Sequence, residues 1–468
     1  MKNKMLKFTA IFTIIAVSAC MLAGCGSSTA NKDDQGRTII SVGAWPSQEG
    51  TSLNNMEAKK EAFEAANPDV VVEGDSWSFD IQTFYAKAAG DQLPTVYNAF
   101  YTEAPQIISS GYSADLTDVL QRRGYEGKFN EQILDLISKD GRIYAFPYSA
   151  YILGLAFNTE MLEAAGLVNE DGTPQQPATW DEVAEFAVRI KEATGKPGFV
   201  FPTANNNGGW LFTCLAWSFG ADFMEQDADG NWKATFNTPE AAAALQYIKD
   251  LKWEHDVLPS NTLIDNTEYY KQFATGNAGM LITAGDVPRK LVQYGMTPDQ
   301  IGMMAMPAGP ERHVTLLGGS IYCVNGEATE DQIDAAIRWL EMSYNYNATD
   351  EYKENTTKSI EEELEKNQLV GIKSMSPWSS DTESVSFLHG LIDEKANSNP
   401  NHVRLYNEFV ADCPAEIQSE EPVCAQELYG ILDGCIQEVL TNENADCAEL
   451  LEKANSDFQS NYLDNLTY

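Results

Sequence analysis

Between Arg37 and Phe100 the chain alternates three times between a short apolar run and a helical pattern. That alternation restricts the fold more than any other feature. Arg37 to Gly43 is an apolar run that ends at a glycine. Ser52 to Ala66 carries Leu53, Met56 and Phe63 at helical spacing and stops at Asn67-Pro68. Val70 to Glu73 repeats the strand pattern and Phe79 to Ala89 the helical one. Thr95 to Phe100 is a third strand, after the turn Gly90-Asp91-Gln92-Leu93-Pro94. Strands separated by helices pair in parallel through crossovers, so the expected class is α/β with a mostly parallel sheet. Ligands of such sheets sit outside the C-terminal strand ends. Trp45, Trp77, Tyr101 and Glu103 follow such ends.

Further along, Ile143 to Asn158 is apolar and long for one strand, and Pro147 in its middle predicts a bend that divides it. Thr179-Trp180-Asp181-Glu182 is a capping box opening a helix to about Ala193. Phe199 to Pro202 reads as a strand, Asn205 to Gly209 as a loop before Trp210, and Leu211 to Phe219 as a helix. Asp227 to Asn231 has the look of a calcium loop, but Thr238 stands where an EF-hand needs glutamate, so a hairpin turn is expected. Thr238-Pro239 starts a helix to about Trp253. Strands are expected at 278–283, 301–306 and 315–325, the last interrupted by Gly318-Gly319. Residues 351–366 read as a charged helical or solvated face, and helices are expected over 423–441 and 446–462.

The first residues read as an address and not as part of the fold. Lys2, Lys4 and Lys7 precede the apolar stretch Phe8 to Met21, in the layout of a secretory signal. Leu22-Ala23-Gly24-Cys25 resembles a bacterial lipobox, which implies removal of residues 1–24 and lipidation of Cys25. Residues 25–37 would then be the lipidated cysteine and a flexible tether. The expected location is extracytoplasmic, lipid-anchored to the cell membrane. Six cysteines follow (Cys214, Cys323, Cys413, Cys424, Cys435 and Cys447), and export makes a Cys413–Cys447 or Cys413–Cys424 disulfide possible beside free thiols.

With 31 Lys and Arg against 69 Asp and Glu, the net charge of −38 repels phosphate backbones, so nucleic acid is not an expected partner. His255, His313, His389 and His402 have no metal-ligand spacing, and the chain lacks the common nucleotide-loop and metalloprotease motifs. No catalytic residue, metal or cofactor is therefore assigned. Trp45, Trp77, Tyr101, Tyr148, Tyr151, Trp210 and Trp378 sit beside Asn, Asp, Glu, Ser or Gly at expected loop positions. A sugar has apolar C–H faces that rings cover, and hydroxyls that carboxylates and amides bond. Trp180, Trp217, Trp253 and Trp339 fall inside helices and are assigned to the core.

A set of sequence blocks then matches a known family in order and spacing. Phe63 to Pro68, Ala88 to Pro94 and Gly141 to Tyr148 come first. The strongest block runs from Leu155-Ala156-Phe157-Asn158-Thr159-Glu160-Met161-Leu162 through Ala165-Gly166-Leu167 to Pro177-Ala178-Thr179-Trp180-Asp181-Glu182. Phe273 to Met280 and Leu316 to Ser320 complete the set. Over about residues 38–465 the chain resembles family 1 of the extracellular solute-binding proteins of ABC importers, the carbohydrate-binding group that includes maltose-binding protein.

The resemblance implies a two-lobed periplasmic-binding-protein fold, each lobe a mostly parallel sheet flanked by helices, with a ligand cleft between. It implies an N-terminal lobe of 38–148 plus 316–378 and a C-terminal lobe of 149–315 plus 379–468. Crossovers are expected at 143–158, 314–325 and near 375–385. The cleft would be lined by Trp45, Tyr101, Glu103, Tyr148, Tyr151, Asn207, Trp210, Asp286 and Gly319, to which the aromatic pattern adds Trp77 and Trp378. The implied function is non-enzymatic: binding an oligosaccharide and passing it to ABC permease subunits, as a monomer held at the membrane by its lipid. A surface glycoside hydrolase is the alternative among enzymes, because two carboxylates suffice for that chemistry. The same fold binding a polyamine or peptide is the alternative among ligands.

Overall fold

The computed structural model describes residues 31–466. The expected signal segment and the expected lipidation site Cys25 lie outside the described residues. Eight strands form the main sheet: β1 (Thr38–Val42), β2 (Val70–Gly74), β3 (Val96–Phe100), β4 (Ala145–Asn158), β5 (Met280–Ala284), β6 (Ile301–Met304), β7 (Val314–Val324) and β8 (Glu416–Ser419). The early alternation does what its pattern demands. β1 pairs in parallel with β2 and β3, and the helices Thr51–Ala66 and Ile81–Ala89 supply the crossovers.

Two long strands then carry the sheet from one lobe into the other. The second half of β7 runs antiparallel to β3, from Ser320 opposite Phe100 to Val324 opposite Val96. Its first half pairs in parallel with β8. β4 runs antiparallel to β7 across the junction, and its second half is flanked by β5 and β6, both antiparallel. Parallel pairing is thus found within β1–β3 and at β8, while the crossovers and their flanks are antiparallel. One core packs Ile40, Val42 and Val72 against Phe63 and Trp339. In the other lobe Phe157, Phe212, Trp217, Leu245 and Phe458 are buried within a second core.

Several sequence expectations change here. β4 is a single 14-residue strand in spite of Pro147. The register explains this: Ser149 faces Ser320 and Pro147 faces Ile321, so Tyr148 is an extra residue without an opposite number on β7. A bulge is where a ladder tolerates a proline that cannot donate. Phe199 to Pro202 forms only an isolated bridge to Met280. Trp253 is 39% exposed and not core, with its indole N–H donating to the Val439 carbonyl at 2.8 Å. The last residues of the expected tether are docked: the Ile39 amide donates to the Asn31 carbonyl, and Lys32 pairs with Asp331 at 2.8 Å. All six cysteines are free, so neither disulfide forms. The Asp227–Asn231 hairpin turn is present, between the short strands Met224–Gln226 and Trp232–Ala234.

Candidate functional site

The two lobes meet at Gly318-Gly319 on β7, opposite Tyr151 and Ala150 on β4. A side chain on Gly318 would run into the Tyr151 ring. Gly319 has φ +139°, a conformation L residues avoid, and its missing Cβ would press on the Ser149 carbonyl and come within 2.9 Å of the Tyr101 ring. The glycines therefore exist so that two tyrosines can lie across the backbone at this waist. Tyr101 arrives from the 3₁₀ turn Tyr101–Glu103, directly after β3. It is 1% exposed, and its hydroxyl has no hydrogen-bond partner.

Two chambers adjoin at Tyr151 and Gly319, which line both. The larger, about 760 Å³, lies between the end of β3 and the segment Glu420–Glu427. Phe100, Tyr85 and Tyr112 contribute apolar wall, and Glu103, Glu420, Glu421 and Glu427 contribute carboxylates. The smaller, about 550 Å³, is lined by Tyr148, Asp286, Arg289, Tyr344 and Trp378 among others. Both volumes fall in the range of small-molecule sites.

The Glu420–Glu421 segment belongs to the second lobe through two indoles. Glu420 Oε1 accepts from Trp210 Nε1 at 3.2 Å and Oε2 from the Tyr429 hydroxyl at 2.9 Å. Glu421 accepts from Trp217 Nε1 at 3.0 Å. Burial raises the Glu420 carboxyl, and it pushes Glu421 up to about 7 against the opposing effect of the Trp217 bond. Glu103, across the chamber, is also pushed up to about 7, first by burial and then by the charges of Glu420 and Glu427. The smaller chamber differs: Lys290 lies 3.4 Å from Asp286, and Arg289 pairs with Glu363 at 2.9 Å.

The expected site residues distribute unevenly. Tyr101, Glu103, Tyr151 and Gly319 meet in the larger chamber, and Tyr148, Asp286 and Trp378 in the smaller. Tyr148 and Tyr151 are strand residues and not loop residues. The bulge releases Tyr148 to pack on Tyr322 and Tyr344, with ring centroids 4.5 and 5.0 Å apart. Trp378 is 8% exposed and stacks on Phe129, so most of its ring is committed to the first lobe.

Four of the expected residues line neither chamber. Trp45 is 9% exposed, stacks on Trp339 and donates to Glu57, because the glycine at 74 opens a slot for its ring. Trp77 is half-buried and packs among Phe79, Phe84 and Tyr97. Asn207 and Trp210 lie in the first turn of the helix Asn207–Ser218. Asp433 occupies that helix N-terminus, accepting from the Asn206 and Gly209 amides at 2.7 and 2.8 Å. Side chains on Gly208 or Gly209 would strike Asp433 or the Tyr429 backbone, so the Asn-Asn-Asn-Gly-Gly run serves close helix packing. The Asn207 amide is spent on the Ala204 and Asn205 carbonyls. Trp210 acts on the chamber through Glu420.

Sequence reasoning missed Glu420, Glu421, Glu427, Tyr85, Phe100 and Tyr344. One signal was available: a Glu-Glu-Pro run between a strand and a helix places carboxylates on a fixed turn. Phe100, at 47% exposure next to a strand end, shows only in three dimensions.

Comparison with known proteins agrees with this geometry. The family described as bacterial extracellular solute-binding protein matches residues 48–345. The lactose-binding protein of Rhizobium radiobacter is 27% identical over 310 residues, which are 62% of this chain and 67% of that one. The sn-glycerol-3-phosphate-binding periplasmic protein of Escherichia coli K12 is 22% identical over 312 residues, 63% and 68% of the two chains. In three dimensions the cyclic alpha-maltosyl-1,6-maltose binding protein of Arthrobacter globiformis superposes with a TM-score of 0.62 at 23% identity, over 90% of this chain and 98% of that one. UgpB from Mycobacterium tuberculosis, solved with glycerophosphocholine, gives 0.63 at 17% identity, over 91% and 98%. The structural matches establish the two-lobed fold, and the family match spans well over half the sequence. The chain therefore belongs to the bacterial extracellular solute-binding proteins, family 1, the group of binding proteins that serves ABC importers.

Proposed function

We propose that the chain is an extracytoplasmic lipoprotein, anchored through Cys25, that binds an oligosaccharide between its lobes and delivers it to the permease of an ABC importer. The observation that carries this reading is the waist. Tyr101, Tyr148 and Tyr151 gather beside Gly319 where two chambers adjoin, giving aromatic surface for sugar faces and carboxylates on both sides for hydroxyls. The combined space suits a chain of sugars better than one ring. The lobes are proposed as 38–148 plus 316–378 and 149–315 plus 379–468, joined by β4 and β7. Ligand contacts made in the closed form alone would shift the open–closed equilibrium, and the permease would read that form; hinge closure of periplasmic binding proteins is a known general case.

The test is thermal unfolding of the chain from Gly26 onward against neutral oligosaccharides, monosaccharides, polyamines and peptides. Ligand at about 100 times its Kd adds roughly 2.7 kcal/mol, a shift of a few degrees. Stabilisation by an oligosaccharide series, with the sugar recovered intact, supports a non-enzymatic carrier. A sugar recovered cleaved makes the protein a glycoside hydrolase, and a response to polyamine or peptide alone removes the carbohydrate assignment.

A further inference from the structure

The larger chamber is unusual in its charge. Four carboxylates line it, and among its described lining residues there is no Lys, Arg or His. Of the ion pairs among the described residues, none reaches Glu103, Glu420, Glu421 or Glu427. Glu420 and Glu421 are held by indole and phenol donors. Glu103 faces Glu420 and Glu427 across the chamber without such a donor, and Cys424 and Tyr429 are its other titratable neighbours.

The Tyr101 hydroxyl is a second, independent observation. It lies on a side chain 1% exposed that lines this chamber, and it has no partner. A buried hydroxyl left unpaired costs free energy, so the site is complete only with a polar atom beside it.

We infer that the ligand carries a free, protonated amino group into this chamber, so that the oligosaccharide is an amine-bearing one, with the ammonium set among Glu103, Glu420 and Glu427. The inference rests on the carbohydrate reading above. Its physical argument is the cost of closure. A neutral sugar would drive water from these crowded carboxylates and leave them either repelling one another or forced to take up protons. An ammonium donates to carboxylates in charge-assisted bonds and offsets that repulsion. Phe100, Tyr85 and Tyr112 supply ring faces for the sugar to which the amine is attached.

The experiment is calorimetric binding at pH 7.5 of the chain from Gly26 onward. Each probe is a matched pair: α- or β-linked glucosamine or galactosamine oligomers with free amines, and the same oligomers fully N-acetylated. Neutral glucose and galactose oligomers and spermidine complete the panel. The expected result is a free-amine member bound at least about tenfold more tightly than its acetylated twin, the scale of one charge-assisted hydrogen bond. In Glu103→Gln and, separately, Glu427→Gln that ratio should narrow several-fold. An acetylated or neutral oligomer that binds as well as or better than every free-amine one overturns the inference and leaves the carbohydrate reading standing. Binding of spermidine with no sugar overturns both. An unchanged ratio in both variants overturns the placement of the amine.

Discussion

The two chambers share Tyr151 and Gly319 yet are built on opposite electrostatic plans. The smaller one neutralises its charges internally: Lys290 stands near Asp286, and Arg289 is paired with Glu363. The larger one gathers carboxylates against apolar wall and supplies them with no cation. A chamber that balances its own charges can accept a neutral ligand at little cost, whereas an unbalanced one stores repulsion that only the right ligand relieves. The difference suggests that shape is read mainly at one end and charge at the other, with the waist common to both.

The most severe way to break the comparison is to remove what the chambers share. Gly319→Val puts a β-branched side chain at φ +139° and onto the Ser149 carbonyl. Strain and overlap together are expected to cost about 3 kcal/mol or more of stability, read by denaturant unfolding. Tyr151→Ala is gentler on the fold because the ring is half-buried. It strips one wall from both chambers and should weaken oligosaccharide binding by about 2 kcal/mol, or roughly thirtyfold, in a titration. Equal binding by the wild type and Tyr151→Ala would mean that the chambers work separately or not at all.

How far the sequence could lead is clearest at this waist. Local rules were enough for β1–β3, where each strand and helix follows from its own residues and crossover pairing from the alternation. Gly318-Gly319 and Tyr151 were legible for a similar reason, since a glycine pair inside a strand signals close approach. Trp45, Trp77, Asn207 and Trp210 mark the limit. Each has the right type at the right strand or loop end, but whether a ring faces a cleft or a core depends on partners far along the chain. Trp45 meets Trp339, and the Asn207 loop meets Asp433. The Glu-Glu-Pro run marked a turn at Glu420, but nothing local showed that it and Glu427 meet Glu103, which lies more than 300 residues earlier in the chain. β4 reverses the pattern: Pro147 argued for a break, and a bulge at Tyr148 absorbed it.

Acid and base separate the chambers more finely. The folded-state carboxyls of Glu103 and Glu421 sit near pH 7, above the ordinary value of 4.5, and that of Glu420 is raised too. Between these limits the folded chain holds more protons than the unfolded one, so these groups make stability fall as pH rises from about 4.5 to 7. Ligand-free protein should therefore lose Tm across that window through this chamber. Glu103→Gln should lessen the loss and be the more stable form at pH 7.5, by about 1–2 °C, and close to neutral at pH 5. A Tm difference independent of pH would mean that Glu103 titrates as an ordinary exposed carboxylate.

Asp286→Asn is the matching change in the smaller chamber and carries the smallest expected effect. The carboxylate is partly exposed, and its Lys290 contact at 3.4 Å is a solvent-screened pair four residues along the same turn. Such pairs contribute about 0–1 kcal/mol. Thermal scans at pH 5 and pH 7.5 should give Asp286→Asn and wild-type curves within about 1 °C of each other at both pH values. The contrast between the two substitutions is what matters. If Asp286→Asn reproduced the pH-dependent gain of Glu103→Gln, the internal neutralisation assigned to the smaller chamber would be wrong, and both ends would store the same repulsion. If it leaves the pH profile unmoved while Glu103→Gln flattens it, the unbalanced charge is confined to the chamber between β3 and the Glu420–Glu427 segment. Charge selection would then belong to that end alone.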